Sequence, residues 1–270
     1  MKTTLITALC FLVLSAAAQE GKDTTNIRIG DMKVIMIDEG KDTSDVSYDE
    51  PDDDEIRHAL THFAGVDVGM NILIDKNGKM EFTDSTNSWL EQDYARSMSW
   101  RFNLFEEKIR IVKDYVGILV GAGFTYNSYG LKKNVDVISD DSLGTYGVLR
   151  DPDDADYSKN KLRASYINVP IMLEFNTSSD NEKSFHFAAG FQGGWRMGAV
   201  TKQRYERDAE ERRLRRSSDF NMTDWTLDLS ARIGYRNFTL WANYGLTSLF
   251  ETDKGPEVYP VSIGVQFVAF

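Results

Sequence analysis

The 270-residue chain carries 31 Lys and Arg against 42 Asp and Glu, a net charge of −11, with 41% hydrophobic, 12% aromatic and 27% charged residues. So acidic a balance excludes strong nucleic-acid binding, which needs a basic surface to neutralise phosphates. No stretch after the N-terminus is long enough for a membrane helix, but hydropathy is blind to membrane β-strands, whose alternating apolar and polar residues average out.

Residues 1–18 read as a secretory signal peptide: Met1-Lys2-Thr3, an apolar core from Leu5 to Leu14, then Ser15-Ala16-Ala17-Ala18 with an A-x-A cleavage pattern. The cut is expected after Ala18, leaving Gln19 first. Cys10 sits inside the apolar core after Leu9, where a lipoprotein signal would place its cysteine beyond the core. The mature chain then has no cysteine, which excludes disulfides, a thiolate nucleophile and a cysteine-ligated metal.

Residues 19–60 form a short acidic segment expected in the periplasm. Ile27-Arg28-Ile29, a Gly30-Asp31 turn signal and Val34-Ile35-Met36-Ile37 fit a small hairpin or an edge strand. The run Asp49-Glu50-Pro51-Asp52-Asp53-Asp54-Glu55 reads as a linker.

From Thr61 the pattern changes to repeated period-two alternation. Apolar faces recur over 64–72, 98–104, 116–124, 167–175, 185–195, 225–235, 238–246 and 259–267. The connections run alternately long (75–96, 131–160, 201–222, 251–257) and short (106–112, 177–183, 236–237). An even strand number with tight turns at one end and long loops at the other predicts an all-β fold for residues 61–270. The expected form is an eight-stranded antiparallel up-and-down transmembrane β-barrel with external long loops.

The opposite faces of these strands repeat glycine and carry Asp67, Arg101, Glu174, His186, Arg196, Asp228 and Arg232. Small residues with charges of both signs suit a narrow lumen filled by side chains, and a water-washed exterior would carry more lysine. Arg101, Arg196 and Arg232 are expected to pair with Asp67, Glu174 and Asp228 and plug the barrel. Trp225 and Tyr235, ten residues apart on one apolar face, lie roughly 33 Å apart along a strand. Tilt reduces this to about 25 Å, the height of a lipid-facing band. Trp100, Trp195, Trp225, Tyr235 and Tyr259 are therefore expected at the lipid–water interfaces.

Two stretches also carry a family likeness. Ser99-Trp100-Arg101-Phe102-Asn103-Leu104-Phe105-Glu106 leads into Val120-Gly121-Ala122-Gly123-Phe124, and Tyr166-Ile167-Asn168-Val169-Pro170-Ile171-Met172-Leu173 follows a Y-L-x-I-P-L-x-L pattern. Together they resemble the outer-membrane β-barrel (PorT-like) domain of the Bacteroidota. Thr24 to Gly30 and Val34 to Ile37 resemble its lead-in segments. The resemblance covers most of the mature chain through short motifs and implies fold and outer-membrane location rather than activity. The terminal Phe270 resembles the aromatic read by the barrel-assembly machinery, yet with Val265 and Phe267 facing lipid it falls on the opposite parity. Either a bulge shifts the last residues, or the signal takes another form, or Phe270 is simply a packed terminal aromatic.

Chemistry-bearing motifs are sparse. Of His58, His62 and His186, the first two lie at the junction with the barrel, and His186 lies on a polar strand face as a hydrogen-bonding group. No G-x-S-x-G elbow or paired-histidine motif occurs, so no catalytic residue, metal or cofactor is expected. Asp151-Pro152-Asp153-Asp154-Ala155-Asp156 clusters carboxylates of the kind that hold a calcium ion, but without EF-hand spacing, and reads first as a solvated loop. Residues 204–216 mix both signs and fit a short charge-paired helix or a solvated loop able to touch lipopolysaccharide. The expected role is a non-enzymatic outer-membrane protein in adhesion, envelope organisation or secretion. Its expected partners are outer-membrane lipid and lipopolysaccharide, the assembly machinery through Phe270, and another envelope protein. The alternatives are a small-solute porin with an open lumen and a lipid-acting hydrolase with a nucleophile beside His186 or His62.

Overall fold

The computed structural model describes residues 62–82, 87–151, 154–179, 183–207 and 209–267, and as backbone alone 24–29, 32–37 and 268–269. The signal peptide, most of the acidic segment, His58 and Phe270 lie outside the described residues. The chain divides into two compact units, Met1–Arg57 and His58–Phe270. In the first, β1 (Thr24–Ile29) and β2 (Met32–Ile37) pair antiparallel as a hairpin, with Ile29 opposite Met32.

The second unit begins with β3 (Gly65–Asp75), two short 3-10 turns (Ser88–Leu90 and Tyr94–Arg96), β4 (Met98–Val112) and β5 (Val116–Gly130). A small hairpin of β6 (Val135–Asp140) and β7 (Gly144–Leu149) precedes β8 (Tyr157–Asn176) and β9 (Phe185–Arg207). Then come β10 (Glu210–Ser218), β11 (Trp225–Tyr235), β12 (Phe238–Gly245) and β13 (Val258–Ala269). β3, β4, β5, β8, β9, β11, β12 and β13 pair in that order, and β13 pairs back onto β3, so eight antiparallel strands close a ring. No helix among the described residues is long and apolar enough to cross a membrane.

The ring is inside out relative to a water-soluble protein. Trp100, Phe124, Ile171, Phe191, Leu229, Leu240 and Ile263 face outward and are exposed, while Asp67, Arg101, Asn103, Glu174, Gln192, Arg232 and Asn243 are buried inside. Contact with water would cost about 25 cal/mol per Å² of apolar surface, so a continuous apolar belt of this kind requires a lipid neighbour.

Five one-residue bulges adjust the alternation, two of them at Ile111 of β4 and Ser158 of β8. The other register slips leave Leu104 of β4, Met197 of β9 and Phe267 of β13 without a cross-strand partner. The Leu104 and Met197 bulges reset the period-two pattern beyond them. After Leu104, Lys108 turns inward; after Met197, Ala199, Thr201 and Gln203 turn inward. The short turns sit at the end where β3 begins. The tightest follows Tyr235, with Arg236 at φ +57°, the left-handed conformation that a two-residue hairpin uses.

Two expectations are corrected. β4 runs on to Val112, so residues 106–112 are strand and the turn is shorter than the sequence suggests. Residues 204–216 are not helical: β9 continues to Arg207 and β10 returns along it, with Glu210 opposite Arg207 and Arg212 opposite Tyr205. Only Glu210 meets an opposite charge, Arg207, directly across this hairpin; Glu211 faces Glu206, Arg213 faces Arg204 and Arg215 faces Lys202, so cross-strand neighbours replace the spaced pairs of a helix.

Candidate functional site

The lumen is filled from end to end. At the end with short turns, Phe63 enters the barrel and is 2% exposed. The Glu106 carboxylate accepts the backbone N–H groups of Phe63 and Ala64, both at 2.8 Å. Gln266 donates to the Ala64 carbonyl at 2.8 Å, and Asn103 donates to the Phe63 carbonyl at 3.0 Å. His62 stacks on His186, with ring centroids 3.7 Å apart and planes 12° apart. Glu174 accepts Lys108 Nζ at 2.9 Å and lies 3.9 Å from His62 Nδ1. His186 Nε2 meets Thr239 Oγ1 at 2.9 Å.

Midway, Arg232 grips Asp67, which also accepts Asn103 Nδ2 at 2.9 Å. Arg101 donates to Asn243 at 2.8 Å and lies 4.4 Å over the Trp241 ring. Toward the other end, Ser99 bonds Asn127 at 2.8 Å, Ser262 bonds Asn71 at 3.1 Å, and Asn168 bonds Thr125. Among these side chains lies a cavity of about 30 Å³ lined by Arg101, Gln192, Asp228, Asn243, Tyr129 and Tyr166, room for about one water.

Of the charges singled out in the sequence, Asp67 and Arg232 are brought together. Glu174 pairs with Lys108 and His62 instead of an arginine. Arg101 uses amides and an indole and faces Asp228 across the small cavity. Arg196 keeps the inward register of β9, opposite the buried Tyr166, but lies at the far rim, where it pairs with Asp224 at 2.5 Å. Sequence reasoning missed Lys108, Glu106 and Phe63. Lys108 and Glu106 were hidden by the Leu104 bulge, and Phe63 precedes the first alternating stretch.

Two aromatic rows bound the belt. Trp195 and Trp225 lie side by side with centroids 5.9 Å apart, and Trp100 and Tyr259 sit at the same end of their strands. Tyr235 packs on Phe185 at 4.5 Å at the other end.

Residues 105–251 match the family model of the Outer membrane protein beta-barrel domain, more than half of the chain. The chain belongs to this family. No curated protein and no solved structure matches it.

The long loops of this outer-membrane barrel are not loose. They fold over the lumen's mouth at the long-loop end as an apolar cap of Trp89, Leu90, Leu131, Val135, Val137, Phe220, Met222, Leu249 and Phe250. Trp89 and Phe250 lie 6.2 Å apart, and a Cβ at Gly147 would overlap Trp89. Thr145 donates its N–H to Lys254 O and its hydroxyl to Phe220 O, both at 2.7 Å. Gln92 stitches the cap to the barrel by accepting the Leu73 N–H at 2.6 Å.

No metal-ligand cluster occurs among the described residues. In the acidic loop, Asp154 pairs with Arg150 at 3.4 Å and Asp156 accepts Asn134 at 2.7 Å; Pro152 and Asp153 lie outside the described residues. Asp140 accepts the N–H groups of Ser142 and Leu143, which hold its carboxyl below the usual range.

Proposed function

We propose that this outer-membrane barrel is a non-enzymatic, non-conducting envelope protein of the PorT-like group. It acts in adhesion, envelope organisation or as an accessory to secretion, through its external cap and a periplasmic N-terminal segment. Outer-membrane lipid and lipopolysaccharide surround it, the assembly machinery reads its terminal Phe270, and a second envelope protein contacts the cap or the segment.

The observation that carries this reading is the filled lumen. Asp67–Arg232, Lys108–Glu174, Trp241 and Phe63 occupy the space a solute would cross. An eight-strand ring leaves room for little more than its own side chains, and the cap closes what is left. A porin needs the opposite arrangement. The hydrolase reading is disfavoured by the same packing. His186 and Thr239 are 2% and 1% exposed, so a hydroxyl beside a histidine is sealed from any lipid substrate.

The test is electrical. Purified full chain reconstituted in a planar bilayer should insert without steady conductance. Steady unitary currents would contradict the proposal and favour the porin.

A further inference from the structure

Beyond the row of Trp195 and Trp225, β8, β9 and β10 continue as a three-stranded sheet. β8 pairs β9 as far as Tyr157 and Tyr205, and β10 pairs β9 from Ser218 opposite Ala199 to Glu210 opposite Arg207. Asn160, Leu162 and Ala164 of β8 and Ala199, Thr201 and Gln203 of β9 are buried on its inner face. The Met197 bulge therefore turns Lys202 and Arg204 onto the outer face, beside Lys159 and Lys161.

Register makes this face basic in whole rungs. Lys159, Arg204 and Arg213 lie side by side across the three strands, and so do Lys161, Lys202 and Arg215. Arg163 lies one step nearer the membrane, its guanidinium bonded to the Tyr126 hydroxyl at 2.8 Å. Like charges directly opposite one another destabilise a sheet. Glu211 pairs with Arg204 and Arg213 at 2.8 and 2.7 Å, whereas Lys159, Lys161, Lys202 and Arg215 have no carboxylate at ion-pair distance among the described residues. Burial, then the charges of Arg163 and Arg215, holds the Lys202 ammonium below its usual range. Burial and then Arg163 and Lys159 do the same to Lys161. In a chain of net charge −11, such segregation sets up a surface that a bound anion would relieve.

Position names the anion. The same outward face of β8 and β9 carries Ile167 and Trp195 in the lipid belt. Arg163 to Lys159 lie four to eight residues further along β8. At ~3.3 Å per residue and a tilt of about 40°, they stand roughly 10 to 20 Å above the aromatic row, from the outer edge of the headgroup layer outward, where a glycolipid carries its phosphorylated sugars. We propose that this face binds the phosphate groups of the outer-leaflet glycolipid, lipopolysaccharide. The assignment rests on the proposed partnership with the outer leaflet and narrows it to phosphate and to these residues.

The full chain in neutral detergent micelles is titrated with lipopolysaccharide, with the same glycolipid stripped of phosphate, and with inorganic phosphate. Intact glycolipid should bind at least tenfold more tightly than the stripped form and far more tightly than inorganic phosphate. The triple variant K161Q/K202Q/R215Q should lose at least tenfold in affinity, with a weaker dependence on salt, while K76Q, which removes an external charge elsewhere, changes nothing. Heat-dependent gel migration checks that each variant is a folded barrel. A chain without that heat shift overturns the barrel-in-membrane reading itself. A folded chain that binds stripped and intact glycolipid equally, or whose triple variant binds as the parent does, overturns the phosphate assignment. Tighter binding of a soluble sulfated polysaccharide than of the glycolipid also overturns it.

Discussion

Arg232 of β11 reaches across the barrel to Asp67 of β3 and holds both carboxylate oxygens, through Nη1 at 2.8 Å and Nη2 at 3.1 Å. Both side chains are almost wholly buried, at 3% and 0% exposure. Removing one partner of such a pair strands the other charge, which costs about 3–5 kcal/mol. Asp67→Asn should lower the free energy of unfolding in micelles, read from the urea midpoint and slope, by that amount. The double variant Asp67→Leu/Arg232→Met should recover most of the loss, because two apolar groups need no partner. Equal midpoints for Asp67→Asn and the parent would show that the pair is not held in solution.

Trp241 fills the same layer. A Cβ on Gly69 or on Gly264 would come within 2.8 Å of its ring. Trp241→Ala should cost about 3–5 kcal/mol. Gly264→Val should cost about 1–3 kcal/mol through overpacking. The check is again the unfolding midpoint, and a stabilised Gly264→Val would refute the close packing.

Leu229 and Ser230 are neighbours with opposite surroundings. Leu229 faces outward between the two aromatic rows, and Ser230 donates to Asn243 at 3.2 Å inside. Leu229→Arg should reduce the stability of the barrel in vesicles by about 2–4 kcal/mol. Ser230→Ala should cost about 0.5–1.5 kcal/mol. Denaturant titration of vesicle-inserted protein distinguishes them, and reversed magnitudes would mean that the faces are swapped.

Trp89 anchors the cap, 4% exposed against Phe250 and Gly147. Trp89→Ala should remove about 3–5 kcal/mol of local stability. Amide exchange in β6 and β7 should rise at least about a hundredfold, with β11 unaffected, since cap and ring open separately. Unchanged exchange in β6 and β7 would mean that the cap does not depend on this side chain.

Much of the ring was legible because alternation is a local property. From Trp225 to Tyr235 no bulge interrupts β11, and inside and outside follow residue by residue from the sequence. Legibility failed where geometry became non-local. Lys108 lies past the Leu104 bulge, and Ala199, Thr201 and Gln203 lie past the Met197 bulge; in both places the period slips by one without a sequence mark. The charges of β10 look helical until β9 is known to run beside them. The cap joins residues such as Trp89, Val137, Phe220 and Phe250 from four separate loops, and no single stretch signals that they meet.

The ring has its seam between β13 and β3. Until those two strands zip together, β3 and β13 each present an unsatisfied backbone edge, in a sheet already greasy on one side. Such an edge templates pairing with any neighbouring chain. A molecule halted short of Val258 is therefore a seed for aggregates rather than a usable half-barrel, and release into the membrane must wait for the closing strand.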